Sequence, residues 1–205
     1  MVNYLKAFKR PFSGDKYIFL KAAIPIYNWA IFGYVLECIR NTLNGKDELP
    51  NWEKSSWLDK IINPLVAGLF TIIYFGAVFI IPGILIFIKR DLINSFVPYS
   101  AYILLGVLAF FLSYYCLAGY VAFIRTLKMD DVNYNKVNRI IYTGKYFLAW
   151  FIAIVLLSVE SWLTIFFGKI PYLSLLNIVA LYVFHLIALT IVAESIREIE
   201  KEKRL

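Results

Sequence analysis

Uncharged apolar stretches divide this chain more sharply than any motif. No formal charge interrupts residues 61–88 or 92–124, residues 146–168 are broken only by Glu160, and residues 170–193 are again clear. A helix needs about 20 apolar residues to cross a hydrocarbon layer about 30 Å thick, and each run supplies that length. The core of a soluble domain of 205 residues has no room for four of them. The pattern predicts transmembrane helices at 63–88, 99–125, 146–167 and 171–195 in a single all-α integral membrane domain.

A shorter apolar stretch, 22–36, is bounded by Lys21 and Glu37 and contains Ile24-Pro25-Ile26-Tyr27-Asn28. Proline lacks an N–H and clashes with the preceding turn, so a break is expected there. Two readings follow. Residues 16–43 form a re-entrant, Pro-broken helical hairpin, or 22–36 is a short tilted fifth span whose Lys21 and Glu37 snorkel to the headgroups. The hairpin leaves only Lys89, Arg90 and Lys169 outside, whereas a fifth span moves Lys6, Lys9, Arg10, Lys16 and Lys21 outside as well. Basic residues favour the cytoplasmic side. The hairpin is therefore preferred, with four spans and both termini cytoplasmic in the cell membrane.

Between the spans the periodicity changes. Residues 1–15 read as an interfacial segment, with Tyr4, Phe8 and Phe12 at helical spacing among Lys6, Lys9 and Arg10. The 44–57 loop is punctuated by Asn44, Gly45, Pro50 and Asn51, and its Trp52 and Trp57 suit the headgroup level. Pro82-Gly83 is expected to kink or stop the first span. Asp130 and Asp131 offer an N-cap to a second in-plane helix, in which Tyr134, Val137 and Ile141 oppose Lys136 and Arg139. The turn Gly168-Lys169-Ile170 forces the last two spans into an antiparallel pair. Residues 196–205 alternate in charge and read as a solvated cytoplasmic tail.

Composition agrees: 61% of residues are hydrophobic, mean hydropathy is +0.70 and the formal charge is +7. The basic residues are scattered through loops instead of forming one stripe, which points to anionic lipid headgroups and away from nucleic acid. Cys38 and Cys116 both fall in apolar runs and read as small buried side chains, not a disulfide. The basic N-terminus superficially resembles a signal peptide, but no small-x-small cleavage site follows, so it is expected to be retained.

Several short runs carry a family likeness. Gly33-Tyr34-Val35-Leu36-Glu37, then Gly45-Lys46-Asp47-Glu48-Leu49-Pro50-Asn51-Trp52-Glu53 and Gly68 in an apolar span, resemble a largely archaeal membrane family known as a domain of unknown function, number four thousand and thirteen in its series. Ala7-Phe8-Lys9-Arg10-Pro11-Phe12 and Tyr146-Phe147-Leu148-Ala149-Trp150 continue the resemblance. It implies a polytopic fold in an archaeal cell membrane and brings no activity or site residue with it.

Candidate chemistry lies in ionisable and polar groups at membrane depth, which are costly and mark functional candidates by default. These are Lys21, Asn28, Glu37, Glu160 and His185. Glu160 stands eight residues before Gly168, about 12 Å deep at a rise of 1.5 Å per residue. It serves either a proton or cation relay with Ser161 and Thr164 or, on the preferred reading, a helix-packing hydrogen bond. A single histidine cannot build a His-based metal cluster, and no cofactor is expected. Gly106, Ala109, Ser113 and Cys116 recur at small-residue spacing and predict a helix-packing face. No P-loop, zinc-protease, nucleophile-elbow or C-x-x-C pattern is present. The sequence favours a non-enzymatic membrane scaffold or accessory protein that binds lipid, partner proteins or its own copies. The alternative is a small oligomeric transporter or channel using the hairpin and Glu160.

Overall fold

A helix satisfies its own backbone N–H and C=O groups, which long apolar runs require, and among the described residues every regular element is helical. The computed structural model describes residues 3–13, 18–23, 25–46, 48–88, 99–128, 132–168, 170 and 174–203, with backbone alone at 22, 23, 25, 26, 71, 74–88, 99–106, 108, 109, 174 and 175. The elements are α1 (Tyr4–Lys9), α2 (Pro25–Leu43), α3 (Trp57–Ile88), α4 (Tyr99–Ile124), α5 (Tyr134–Ile141), α6 (Gly144–Phe167) and α7 (Ser174–Lys203). Short 3-10 turns lie at Arg10–Phe12 and Phe19–Ala23.

Local chemistry explains where these helices start. Asn3 accepts from the Lys6 N–H at 3.0 Å, and Thr143 accepts from the Tyr146 N–H at 3.3 Å. Both satisfy first-turn donors that have no partner within the helix. Asn133 caps α5 by accepting from the Asn135 N–H at 2.9 Å; Asp130 and Asp131, expected in that role, lie outside the described residues. The break expected at Pro25 falls between the 3-10 turn that ends at Ala23 and α2, which Pro25 opens, where its missing N–H is not needed; α2 then continues without interruption to Leu43. By contrast, α3 passes through Pro82-Gly83 and stays helical to Ile88.

Among the described residues two helices, α6 and residues 176–203 of α7, are long and apolar enough to cross a membrane, and 22% and 56% of their most apolar windows are buried. The other two uncharged runs are helical over α3 and α4. The charges that oriented the chain, Lys89, Arg90 and Lys169, lie outside the described residues.

The core forms where α2, α6 and α7 meet the ends of α4 and α5, around Ile31, Val35, Ile39, Val121, Trp150, Leu186 and Val192. Helix α6 runs antiparallel to α7: Asn177 donates to the Thr164 carbonyl at one end, and Lys145 pairs with Glu202 at the other. Helix α2 runs parallel to α7. Tyr182 donates its hydroxyl to Asn28 near the start of α2, and Arg197 donates to the Thr42 carbonyl at its end. The N-terminal segment returns to the same level, since the Asn3 N–H donates to Glu194 at 3.3 Å and Ala7 packs among Ala149, Ile187 and Ile191. Tyr4 packs against this group, while Phe8 and Phe12, expected on the same stripe, are exposed.

The charged end of α7 is solvated, as its alternating sequence suggested, only from Lys201 to Lys203; before that it packs against the bundle. Ile196 and Ile199 are buried, and Glu200 accepts from Arg125 through both oxygens at 2.9 and 2.6 Å while Lys136 approaches at 2.9 Å. An apolar residue at every third position turns one face of this segment inward, and α4 and α5 place cations over the acid that flanks it. Burial works against the Glu200 charge, but the two cations more than offset it and hold its carboxyl below the ordinary value of 4.5. A depressed folded-state value gives stability that is fully present above 4.5 and lost as pH falls through the folded value. Glu200→Gln is expected to lower stability by about 1–3 kcal/mol at neutral pH and to flatten the acid limb of a pH–stability curve measured in detergent. An unchanged acid limb would remove this ion-pair cluster from the account.

Candidate functional site

The most tightly organised polar group lies where the 49–57 loop folds back over α2 and the first turn of α3. Asn51 starts it: its side-chain oxygen accepts from the Glu53 N–H at 2.9 Å, an Asx turn that reverses the chain. Trp52 is thereby driven inward, edge-on to Tyr34 at 5.6 Å and to Trp57 at 6.0 Å. The Tyr34 hydroxyl donates to the Pro50 carbonyl at 3.1 Å, which ties the loop to the middle of α2.

Lys60 closes the arrangement. Although only 2% exposed, its ammonium donates to the carbonyls of Trp52 at 2.5 Å and Ser55 at 3.1 Å. It also lies 4.1 Å from the Trp52 ring centroid and 5.2 Å from that of Trp57. Burial pulls its pKa below the ordinary 10.5, Glu37 opposes that shift, and Lys21 adds to it. Lys21 is itself 5.5 Å from the Trp52 ring, and Glu37 accepts from the Ser55 hydroxyl at 2.7 Å. The structure thus brings together Lys21 and Glu37, two of the polar residues singled out in the sequence, around a lysine that was not among them.

The helix crossing beneath this cluster depends on two further residues. Pro64 lies inside α3 four residues after Lys60 and has no N–H to offer the Lys60 carbonyl. Gly33 of α2 lies against that carbonyl so closely that a Cβ on it would sit 2.3 Å from the oxygen. One turn earlier, the Trp29 indole donates to the Ile61 carbonyl at 3.1 Å. Loosened carbonyls of a Pro-bearing helix are met by a glycine and an indole of its neighbour. The signal in the sequence was the Lys60–Pro64 spacing, which removes one specific helix hydrogen bond.

The other singled-out residues are dispersed. Asn28 receives the Tyr182 hydroxyl through both its backbone and side-chain oxygens. The His185 ring bonds the Leu181 carbonyl of its own helix at 2.8 Å. Glu160, 6% exposed, accepts from Thr164 one turn on at 2.9 Å, and the Thr164 carbonyl accepts from Asn177 of α7 at 3.4 Å. Ser161 donates to the Leu157 carbonyl and takes no part. On α4, Ser113 donates to the Phe110 carbonyl at 2.7 Å, and Cys116 packs on the stacked pair Phe70 and Phe123; the side-chain surroundings of Gly106 and Ala109 lie outside the described residues.

Chemically, the Lys60 cluster is a latch. Its ammonium donates to two carbonyls and lies against two rings, and its carboxylate accepts a hydroxyl, so the group fixes a loop in place. Other cations of the bundle also bond carbonyls: the buried Arg10 donates to the Cys38 carbonyl at 3.1 Å, and the half-buried Arg40 donates to the Ile124 carbonyl at 3.3 Å. Each bonds the carbonyl of another segment, stitching elements together.

Comparison with curated proteins and with solved structures gave no match. A family model described as "Protein of unknown function (DUF4013)" matches residues 17–169, well over half of the chain, and its range takes in Gly33, Glu37, Trp52, Lys60 and Glu160 while leaving α7 outside. By that match the chain, latch included, belongs to the DUF4013 family.

Proposed function

We propose that the protein is a membrane-embedded, non-enzymatic scaffold that binds lipid and partner proteins. The observation carrying this reading is the bare apolar face of α6. Phe147, Phe151, Val155, Trp162, Ile165 and Phe166 are all exposed, on a helix with the length and apolarity of a span. A monomeric soluble protein leaves no contiguous apolar strip of that extent uncovered, and acyl chains cover it at no cost. Four membrane-crossing helices with cytoplasmic termini complete the proposal, and the N-terminal segment enters and leaves by the cytoplasmic side. Its path supports this: the chain starts beside Glu194, reaches Tyr182 at Asn28 and is back at Arg197 by Thr42, an excursion of about 20 Å along α7.

The second reading, a small oligomeric transporter or channel, rests on the buried Glu160 with Thr164 and Asn177. That group is closed by a hydrogen bond within one helix, and Asn28 and His185 are engaged elsewhere. One set of proteoliposomes separates the two. Glu160→Gln is expected to leave ion and solute flux at the level of empty vesicles with or without the change, while Gly106→Leu with Ser113→Leu lowers cross-linked self or partner association severalfold. A flux present in the parent protein and abolished by Glu160→Gln would replace the scaffold with the transporter.

A further inference from the structure

A cleft of about 610 Å³ lies between the N-terminal segment and the start of the 48–53 loop, lined among others by Lys6, Lys9, Arg10, Ser13, Glu48 and Leu5. Three cations and one carboxylate line it, and Glu194, bonded to the Asn3 N–H, also interacts electrostatically with Lys6 and Arg10. Arg10 forms a fixed base: it is 3% exposed and held by the Cys38 carbonyl, and its own carbonyl accepts the Ser13 hydroxyl at 2.8 Å. Lys9 and Glu48 stand exposed at the mouth, with Lys6 half-buried beside them. A buried guanidinium beside two ammonium groups, with Ser13 and Asn3 also in the lining, suits a tetrahedral oxyanion with several acceptor oxygens.

The surroundings specify the ligand further. Helix α1 is pinned to the bundle through Ala7, which turns Leu5, Phe8 and Phe12 away from protein at 66%, 42% and 59% exposure. Their three- and four-residue spacing puts them on one strip beside the lysines, the arrangement of a helix seated at the headgroup–acyl boundary. We infer that this cleft is a phosphate site, taking the phosphodiester of an anionic lipid whose chains lie along Leu5, Phe8 and Phe12. The inference rests on the membrane-embedded reading and names the ligand class within it. Glu48 tunes the site by repelling the anion.

The test is native mass spectrometry of the full chain released from nanodiscs containing phosphatidylglycerol and phosphatidylcholine, with and without inorganic phosphate. Each lysine near such a surface is worth roughly fivefold in affinity, so Lys6→Gln with Lys9→Gln is expected to reduce retained phosphatidylglycerol roughly 30-fold, with phosphatidylcholine unchanged. Glu48→Gln is expected to raise phosphatidylglycerol retention severalfold, and it decides the matter if the double variant does not fold. Retention that inorganic phosphate does not displace assigns a lipid; displacement assigns a soluble phosphate to the same cations. Phosphatidylglycerol retention that neither substitution alters overturns the cleft alone. A parent protein that carries neither phospholipid overturns the membrane reading beneath it.

Discussion

Gly33→Ala is expected to cost about 3 kcal/mol or more, read as a fall in the thermal unfolding midpoint followed by tryptophan fluorescence in detergent. Helix propensity alone predicts the opposite sign, because alanine is more favourable than glycine in a helix interior by about 1 kcal/mol. Geometry decides between them. A Cβ at position 33 would stand 2.3 Å from the Lys60 oxygen, 2.7 Å from its Cα and 2.8 Å from its carbonyl carbon. All three are backbone atoms, and no rotamer change relieves the clash. Relief requires α2 and α3 to part, which also draws Lys60 away from the loop carbonyls it serves. Gly68→Ala supplies the control, since a Cβ there meets nothing within 4 Å and the change should be neutral or stabilising by up to about 1 kcal/mol. If the two substitutions behave alike, the close crossing is not a determinant of this fold.

Position 33 also marks the limit of what the sequence discloses. A glycine inside an apolar helical run reads equally as a flexible point or as a packing site. Only the partner helix, carrying Pro64 and its deprived carbonyl, distinguishes them. Periodicity fares better where the information is local. Helix occupies 144–167 where the uncharged run begins at 146, and α5 covers Tyr134–Ile141 with Val137 and Ile141 inward, although Tyr134, expected on the same stripe, is exposed, because amphipathic spacing and capping act within a few residues. Residues 19–23 and α2 depended on a proline whose effect changes with position: Pro25 breaks a helix from within but starts one from its first turn.

Charge misled for a related reason. Lys60, Arg10, Arg197 and Glu200 all stand near ends of apolar runs, where an isolated sequence places them in water or among headgroups. Tertiary contacts bury Lys60 and Arg10 and half-bury Arg197 and Glu200, each against carbonyls or opposite charges, which for Arg10, Arg197 and Glu200 come from distant segments. Burying an unpaired charge is prohibitive, whereas burying one with its partners in place is tolerable. The partners of Arg10, Arg197 and Glu200 lie 28 to 155 residues away, so local pattern carries no trace of them; those of Lys60 lie in the adjoining loop, whose fold over the ammonium helical periodicity does not encode. The runs that resemble the family contain Gly33, Glu37 and Trp52, and the fold gathers all three at one crossing; their common purpose became visible only with Lys60 placed between them.

Trp52→Ala is expected to lower stability by about 3–5 kcal/mol, the usual cost of removing a large buried aromatic side chain, and its coupling to Lys60 tests the latch itself. The indole fills the space between Tyr34 and Trp57 and presents its ring to the ammonium at 4.1 Å. Lys60→Met keeps much of the aliphatic stem but strips the donors from the carbonyls of Trp52 and Ser55. Each carbonyl left buried and unmatched costs about 1–3 kcal/mol, partly offset because methionine carries no charge to desolvate. If the two side chains merely occupy neighbouring space, their separate losses should add. If ring and ammonium stabilise each other out of water, the double variant should lose about 2 kcal/mol less than the sum, since the first substitution already removes what the second would take. Additive losses in this cycle would leave Trp52 a packing residue and Lys60 a loop tether, with no cation–ring latch between them.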